Sequence, residues 1–164
     1  MPSLNRVLIN TSPLLALLAG CGGLDLLRDL YDEVLVPQEV CEEIAAGGAS
    51  GFGAAAFDRA TWLRRWPQRI EPSPLLHHAL DRGEAAVIQL ALNEGVSRVC
   101  IDEPVGRRLA RLNGLTVTGS IGVLLRARKE GKIVSVRPVL ERMRSHGIWL
   151  SESVVTFALR ESGE

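Results

Sequence analysis

Cysteine is scarce and scattered. Cys21, Cys41 and Cys100 are the three in a chain of 164 residues, and none belongs to a C-x-x-C pair. An odd number at that spacing argues against a disulfide framework and against a zinc site. Cys100, inside an apolar run, reads as a small core residue. Lysine is almost missing as well: of 19 basic residues only Lys129 and Lys132 are not arginine. Arginine holds phosphate in a bidentate fork but also makes ordinary surface ion pairs, so this bias points only weakly to phosphate. Neither charge sign is in excess, 19 basic against 19 acidic, and no global field marks a nucleic-acid binder. No apolar stretch reaches spanning length, and no basic segment leads into a cleavable apolar run, so a cytoplasmic protein with no membrane partner is expected.

Several catalytic signatures are missing too. There is no nucleophile elbow, Walker loop, dinucleotide fingerprint or histidine pair at i and i+4. His77 and His78 are adjacent and point apart on a helix, and His146 stands before a glycine near a helix end, where a cation suits the dipole. A nucleotide-binding regulator would need a glycine-rich loop after the first strand, and Asn10-Thr11-Ser12-Pro13 does not supply one.

What is present is an ordinary globular composition, 46% hydrophobic and 23% charged, in a length that fits one domain, 1–164, with an ample core. Leu4–Ile9 reads as a strand. Ser12-Pro13 starts a helix through Leu18, a second short helix covers Leu24–Tyr31, and Val34–Val36 is a buried strand stopped by Pro37. A helix follows through Val40 and Ile44 to the pair Gly47-Gly48, and Ala49–Gly53 reads as a mobile loop. Phe57–Trp66 is ambiguous between helix and a short strand at Trp62–Trp66. After a helical turn at Leu75–Leu80, Gly83 is read as a break and Glu84–Glu94 as the longest helix. Val96–Ile101 is a strand, Val105–Asn113 a helix with a basic face, Leu115–Thr118 a strand, and Gly119-Ser120 opens a helix to Lys129. Helices near Val136–Ser145 and Ser151–Glu161 complete the chain. Alternating strands and helices predict an α/β fold, a mainly parallel sheet covered on both faces.

In such sheets ligands gather beyond the carboxyl ends of the strands. Asn10, Asp102 and Thr118 each close an expected strand, Glu84 stands in the first turn of a helix and Glu43 on an earlier one. Acids converging there repel each other unless cations intervene, and hard oxygen donors suit Mg²⁺ or Mn²⁺. Plainer roles exist for each residue. Glu84 is favoured at a helix N-terminus by the dipole alone, Asp102 could cap a helix beginning at Glu103-Pro104, and Glu42 and Glu43 could be solvated surface charges.

One ordered series of segments is more specific. It runs Asn10-Thr11-Ser12-Pro13-Leu14, Val36-Pro37-Gln38-Glu39-Val40-Cys41-Glu42-Glu43-Ile44, Gly83-Glu84-Ala85-Ala86-Val87-Ile88 with Leu90-Ala91, Ile101-Asp102-Glu103 with Gly106-Arg107-Arg108-Leu109-Ala110, and Thr118-Gly119-Ser120-Ile121-Gly122-Val123-Leu124-Leu125. Over nearly the whole chain this resembles the PIN-domain family, in particular the branch of small prokaryotic VapC-like toxins. The resemblance implies a three-layer α/β/α sandwich and a metal-dependent endoribonuclease using Mg²⁺ or Mn²⁺. It also implies an RNA substrate, a small antitoxin as partner, and a homodimer. By the same resemblance Asn10, Glu43, Glu84 and Asp102 are the catalytic and metal-binding set, with Glu103 as a substitute or supporting group. Thr11 or Ser12 would hydrogen-bond the first ligand, Thr118 would support the site, and Arg107, Arg108 and Arg111 would hold the RNA backbone unless they form a solvated helix face.

Asn10 departs from the family, which has an aspartate there. Its amide oxygen can bind a cation, but it is neutral and cannot act as a general base. Three readings stand: a weakened or purely binding member, a slow nuclease working through Glu43, Glu84 and Asp102, or a change introduced or selected to make a toxic nuclease tolerable.

Overall fold

The computed structural model describes residues 4–47, 51 and 53–164. Its central sheet has five strands, β1 (Arg6–Ile9), β2 (Glu33–Val36), β3 (Arg64–Arg65), β4 (Arg98–Cys100) and β5 (Thr116–Thr118). All pair in parallel, in the order β3-β2-β1-β4-β5. Strands covered on both faces need continuous apolar runs instead of alternation. Val7-Leu8-Ile9, Val34-Leu35-Val36 and Val99-Cys100 are such runs, all essentially fully buried.

The described residues form ten helices: α1 (Thr11–Cys21), α2 (Asp25–Leu30), α3 (Gln38–Ala46), α4 (Ala54–Arg59), α5 (Pro74–Ala79), α6 (Arg82–Glu94), α7 (Pro104–Leu112), α8 (Ser120–Lys129), α9 (Arg137–Ser145) and α10 (Glu152–Ser162). Helix α1 is apolar nearly all round and packs against α8 and α9, while α6 lies on β1 and β4 and meets α5 and α7. The expected α/β/α sandwich is therefore the observed one, and its sheet is wholly parallel. None of these helices is long and apolar enough to cross a membrane.

This strand order reverses between β1 and β4. The chain winds from β1 outward to β2 and β3, crosses back, and winds outward again through β4 and β5. At such a reversal neighbouring connections leave in opposite directions and open a crevice at the carboxyl ends of the strands. Asn10 and Ile101-Asp102 flank that crevice, and the Asn10 backbone N–H donates to Cys100 O at 3.0 Å.

The elements differ from the sequence-based expectation mainly at their ends. β1 starts at Arg6, β4 covers only Arg98–Cys100, and β3 shrinks to the two residues that pair with Leu35 and Val36. The ambiguous stretch Phe57–Trp66 divides between the end of the helix Ala54–Arg59 and the strand Arg64–Arg65. Gly83 does not break a helix: α6 begins at Arg82, because Asp81 caps it by accepting from the Glu84 backbone N–H at 2.8 Å. The loop expected at Ala49–Gly53 falls largely on residues outside those described, as does Gly48.

Candidate metal-binding acidic site

Asn10 is the N-cap residue of α1, yet its side chain makes no capping bond. It is 3% exposed and its Oδ1 has no hydrogen-bond partner. Leaving a buried carbonyl unsatisfied costs about 1–3 kcal/mol, so a native site that retains one invites an explanation.

Glu43, one turn before the end of α3, reaches the same place. Its Oε2 accepts from Thr11 Oγ1 at 2.6 Å, and its Oε1 lies against Gly83. A side chain at Gly83 would collide with that oxygen and would stand 3.2 Å from Asn10 Oδ1. Glycine at this position in the first turn of α6 is thus what lets Glu43 and Asn10 approach the helix. Gly106 does the same on the opposite side, since a Cβ there would sit 2.6 Å from Glu84 Oε2.

Glu84 is the centre of the electrostatics. It is buried, 6% exposed. Its carboxyl group is pushed up from an ordinary 4.5 to about 8, first by desolvation, then by a hydrogen bond to Asp81 and the negative charges of Asp81, Glu103 and Glu43. Burial and like charge both disfavour the ionised form. At neutral pH Glu84 therefore keeps its proton.

Asp102 is oriented differently. Its Oδ1 accepts from Ser120 N at 2.8 Å and its Oδ2 from Ser120 Oγ at 2.9 Å. It serves the start of α8; the N-cap of α7 is Glu103, and Asp102 does not occupy that place. Of the adjacent pair, Glu103 is exposed and adds negative charge near Glu84, and Asp102 ties the end of β4 to the start of α8. Thr118 turns toward α8, its Oγ1 against Gly122, and Ser12 is exposed. Arg107 donates from Nη1 to Ile101 O at 2.8 Å and packs beside Gly119, whereas Arg108 and Arg111 are exposed on α7.

Asn10, Thr11, Glu43 and Glu84 thus gather around Gly83 and Gly106, with the charge of Glu103 near Glu84, while Asp102 is bonded to Ser120, Thr118 lies against Gly122 and Ser12 is exposed. Asp81, Gly83, Gly106 and Ser120 had no site role in the sequence reading. One had a legible signal: Asp81-Arg82-Gly83-Glu84 has the spacing of a capping box, a capping side chain three residues before a Glu.

The donors here are all hard oxygens, the kind that suit Mg²⁺ or Mn²⁺. The unpartnered Asn10 carbonyl and the repulsion around Glu84 are both relieved by a divalent cation, and in that respect the residues fit one. Among the described residues no three His, Cys, Asp or Glu side chains are grouped closely enough to hold an ion by themselves.

The molecule is a doubly wound α/β/α sandwich with acidic residues near its strand reversal. A family model described as DUF3368, a PIN domain, matches residues 6–164, and the chain belongs to the PIN-domain family. PIN domains are generally divalent-metal-dependent nucleases. No curated protein and no solved structure matches the chain.

Proposed function

We propose that the chain is a metal-dependent endoribonuclease, the toxin of a toxin–antitoxin pair in the cytoplasm, whose small antitoxin covers the acidic crevice. The observation that carries the catalytic reading is the pairing of an unsatisfied buried carbonyl at Asn10 with a carboxyl group at Glu84 pushed to about 8. Both are costs in the protein alone, and one cation offsets both.

Asn10, Glu43 and Glu84 would hold Mg²⁺ or Mn²⁺, with Glu103 adding negative charge near Glu84. When bound, such an ion polarises a phosphoryl oxygen and makes water more acidic, the chemistry that phosphodiester hydrolysis requires. The chain's own contributions are more specific. Glu84 holds a proton at neutral pH and must release it to become a charged ligand. Thr11 fixes Glu43 through its hydroxyl, and Gly83 and Gly106 keep side-chain bulk out of the pocket. The Asp102–Ser120 pair and the Arg107–Ile101 bond hold the ends of β4 and β5 in place.

The neutral amide at Asn10 and the engagement of Asp102 with Ser120 favour a second reading, a PIN-fold RNA- or protein-binding module without turnover. Cleavage of RNA in Mn²⁺ by this protein and by Asn10→Asp separates them. Slow Mn²⁺-dependent cleavage, accelerated in Asn10→Asp and lost in Glu84→Gln, supports the nuclease. Absence of cleavage from both proteins supports the binding module.

A further inference from the structure

The acidic pocket repels a polyanion, so RNA needs cations at its rim, and the structure assigns them to the α3 side. After β3 the chain runs along the start of α3 and is fastened at three successive steps. Trp66 N donates to Val36 O at 2.8 Å, Ile70 N to Glu39 Oε2 at 2.8 Å, and Arg69 Nη2 to Glu42 Oε1 at 2.9 Å. The other oxygen of Glu42 takes the Arg82 guanidinium. Arg82 immediately precedes Gly83, where Glu43 and Asn10 converge, and Glu42 immediately precedes Glu43. Two guanidinium groups therefore share one carboxylate at the very edge of the pocket.

Within this bridge two cations face one anion. The Arg69 and Arg82 side chains are 64% and 56% exposed, and exposed ion pairs hold weakly against competition. A phosphate, which accepts bidentately from arginine, can take either group from Glu42 with little loss. Farther out, the Trp66 ring is half-buried and carries Arg64 Cζ 5.2 Å from its centroid. Arginine beside an aromatic ring is a pairing used for stacking unpaired bases.

We propose that Arg82 and Arg69, which share Glu42 in the free protein, grip phosphates of a single-stranded RNA, and that Trp66 stacks a base at the outer end of this track. The proposal rests on the ribonuclease reading above and names its substrate form and binding residues. Arg82 and Arg69 contact substrate in it, whereas Glu42 is the internal anion that phosphate displaces.

The test is binding of a fluorescent single-stranded oligoribonucleotide by anisotropy across a salt series, in Ca²⁺ to suppress cleavage, with Mn²⁺-dependent steady-state kinetics in parallel. Arg82→Ala and Arg69→Ala should each weaken binding about tenfold, with log K against log salt shallower by about 0.7 per lost phosphate contact. KM should rise with kcat retained. Trp66→Leu should weaken binding with an unchanged salt slope, and Glu42→Gln, which frees both arginines, should tighten it severalfold. Arg160→Ala, the loss of one exposed charge on α10, controls for net charge. If the protein binds RNA but the two arginine variants keep its affinity and slope, this track is wrong while the ribonuclease reading stands. Equal affinity for duplex RNA with the same arginine dependence overturns the single-strand assignment. Failure of the unaltered protein to bind or cleave any RNA, with Mn²⁺ still bound, removes both proposals.

Discussion

Replacing Glu84 with glutamine should make the metal-free protein more stable, although it removes the central ligand of the proposed site. The carboxyl group titrates near 8 in the folded protein against an ordinary 4.5, so the native state binds the proton more tightly than the unfolded chain. Its contribution is therefore fully present below about pH 4.5, declines as pH rises, and is lost once pH passes about 8. Each tenfold difference in proton affinity between the folded and unfolded chain is worth about 1.36 kcal/mol, which sets an upper limit of about 5 kcal/mol. Solvent screening of the surrounding charges reduces this to about 2–3 kcal/mol. For a chain of this size that corresponds to roughly 5–10 °C in Tm. Glutamine keeps the shape and can still donate to Asp81, but it never ionises. Thermal unfolding in chelator should show Tm of the unaltered protein falling from about pH 5 to about pH 8, and that of Glu84→Gln falling much less. The two should be close at the acidic end. A Glu84→Gln protein less stable than the parent at the alkaline end, or one with the same pH slope, would falsify the account of burial and like-charge repulsion.

Further outcomes follow from the same geometry. Mn²⁺ binding at neutral pH should release close to one proton, because Glu84 must ionise to ligate; calorimetry in buffers of different ionisation enthalpy measures this. Glu103→Gln removes one of the negative charges that oppose ionisation of Glu84. It should shrink the loss of Tm on the alkaline side and also weaken Mn²⁺ binding, read by thermal melts in chelator and by titration beside the parent. Asp102→Ala, by contrast, should lower stability by about 1–3 kcal/mol through loss of both Ser120 bonds, read by denaturant unfolding, with Mn²⁺ affinity largely kept. Gly83→Ala places a methyl group against Glu43 Oε1 and beside Asn10 Oδ1, and should depress Mn²⁺ affinity more than it depresses Tm.

The layered fold was legible because its strands are short unbroken apolar runs, which a parallel sheet covered on both faces accommodates. Asn10 and Glu84 were legible because the first closes such a run and the second opens the longest amphipathic helix. Asp102 and Glu103 show where legibility stops. They are neighbours, and Asp102 is engaged by Ser120 arriving from beyond β5, a contact 18 positions away along the chain. Gly83 carries a related ambiguity. Glycine breaks helices and also permits close approach, and only the position of Glu43 across the crevice selects the second role. Strand β3 is two residues long and exists through its pairing with β2, so local pattern gave it little definition. Arg107 looked like one of three equivalent cations, yet its bond to the Ile101 carbonyl separates it from Arg108 and Arg111.

The central claim is that this crevice, with an amide in place of one acid, is still a divalent-cation site. Titration calorimetry of Mn²⁺ into the unaltered protein at about pH 8, where Glu84 begins to ionise, tests it most directly, with Glu84→Gln as the paired control. Saturable binding by the first and its loss in the second is the predicted result. Absence of saturable binding by the unaltered protein, or equal binding by both, contradicts the account.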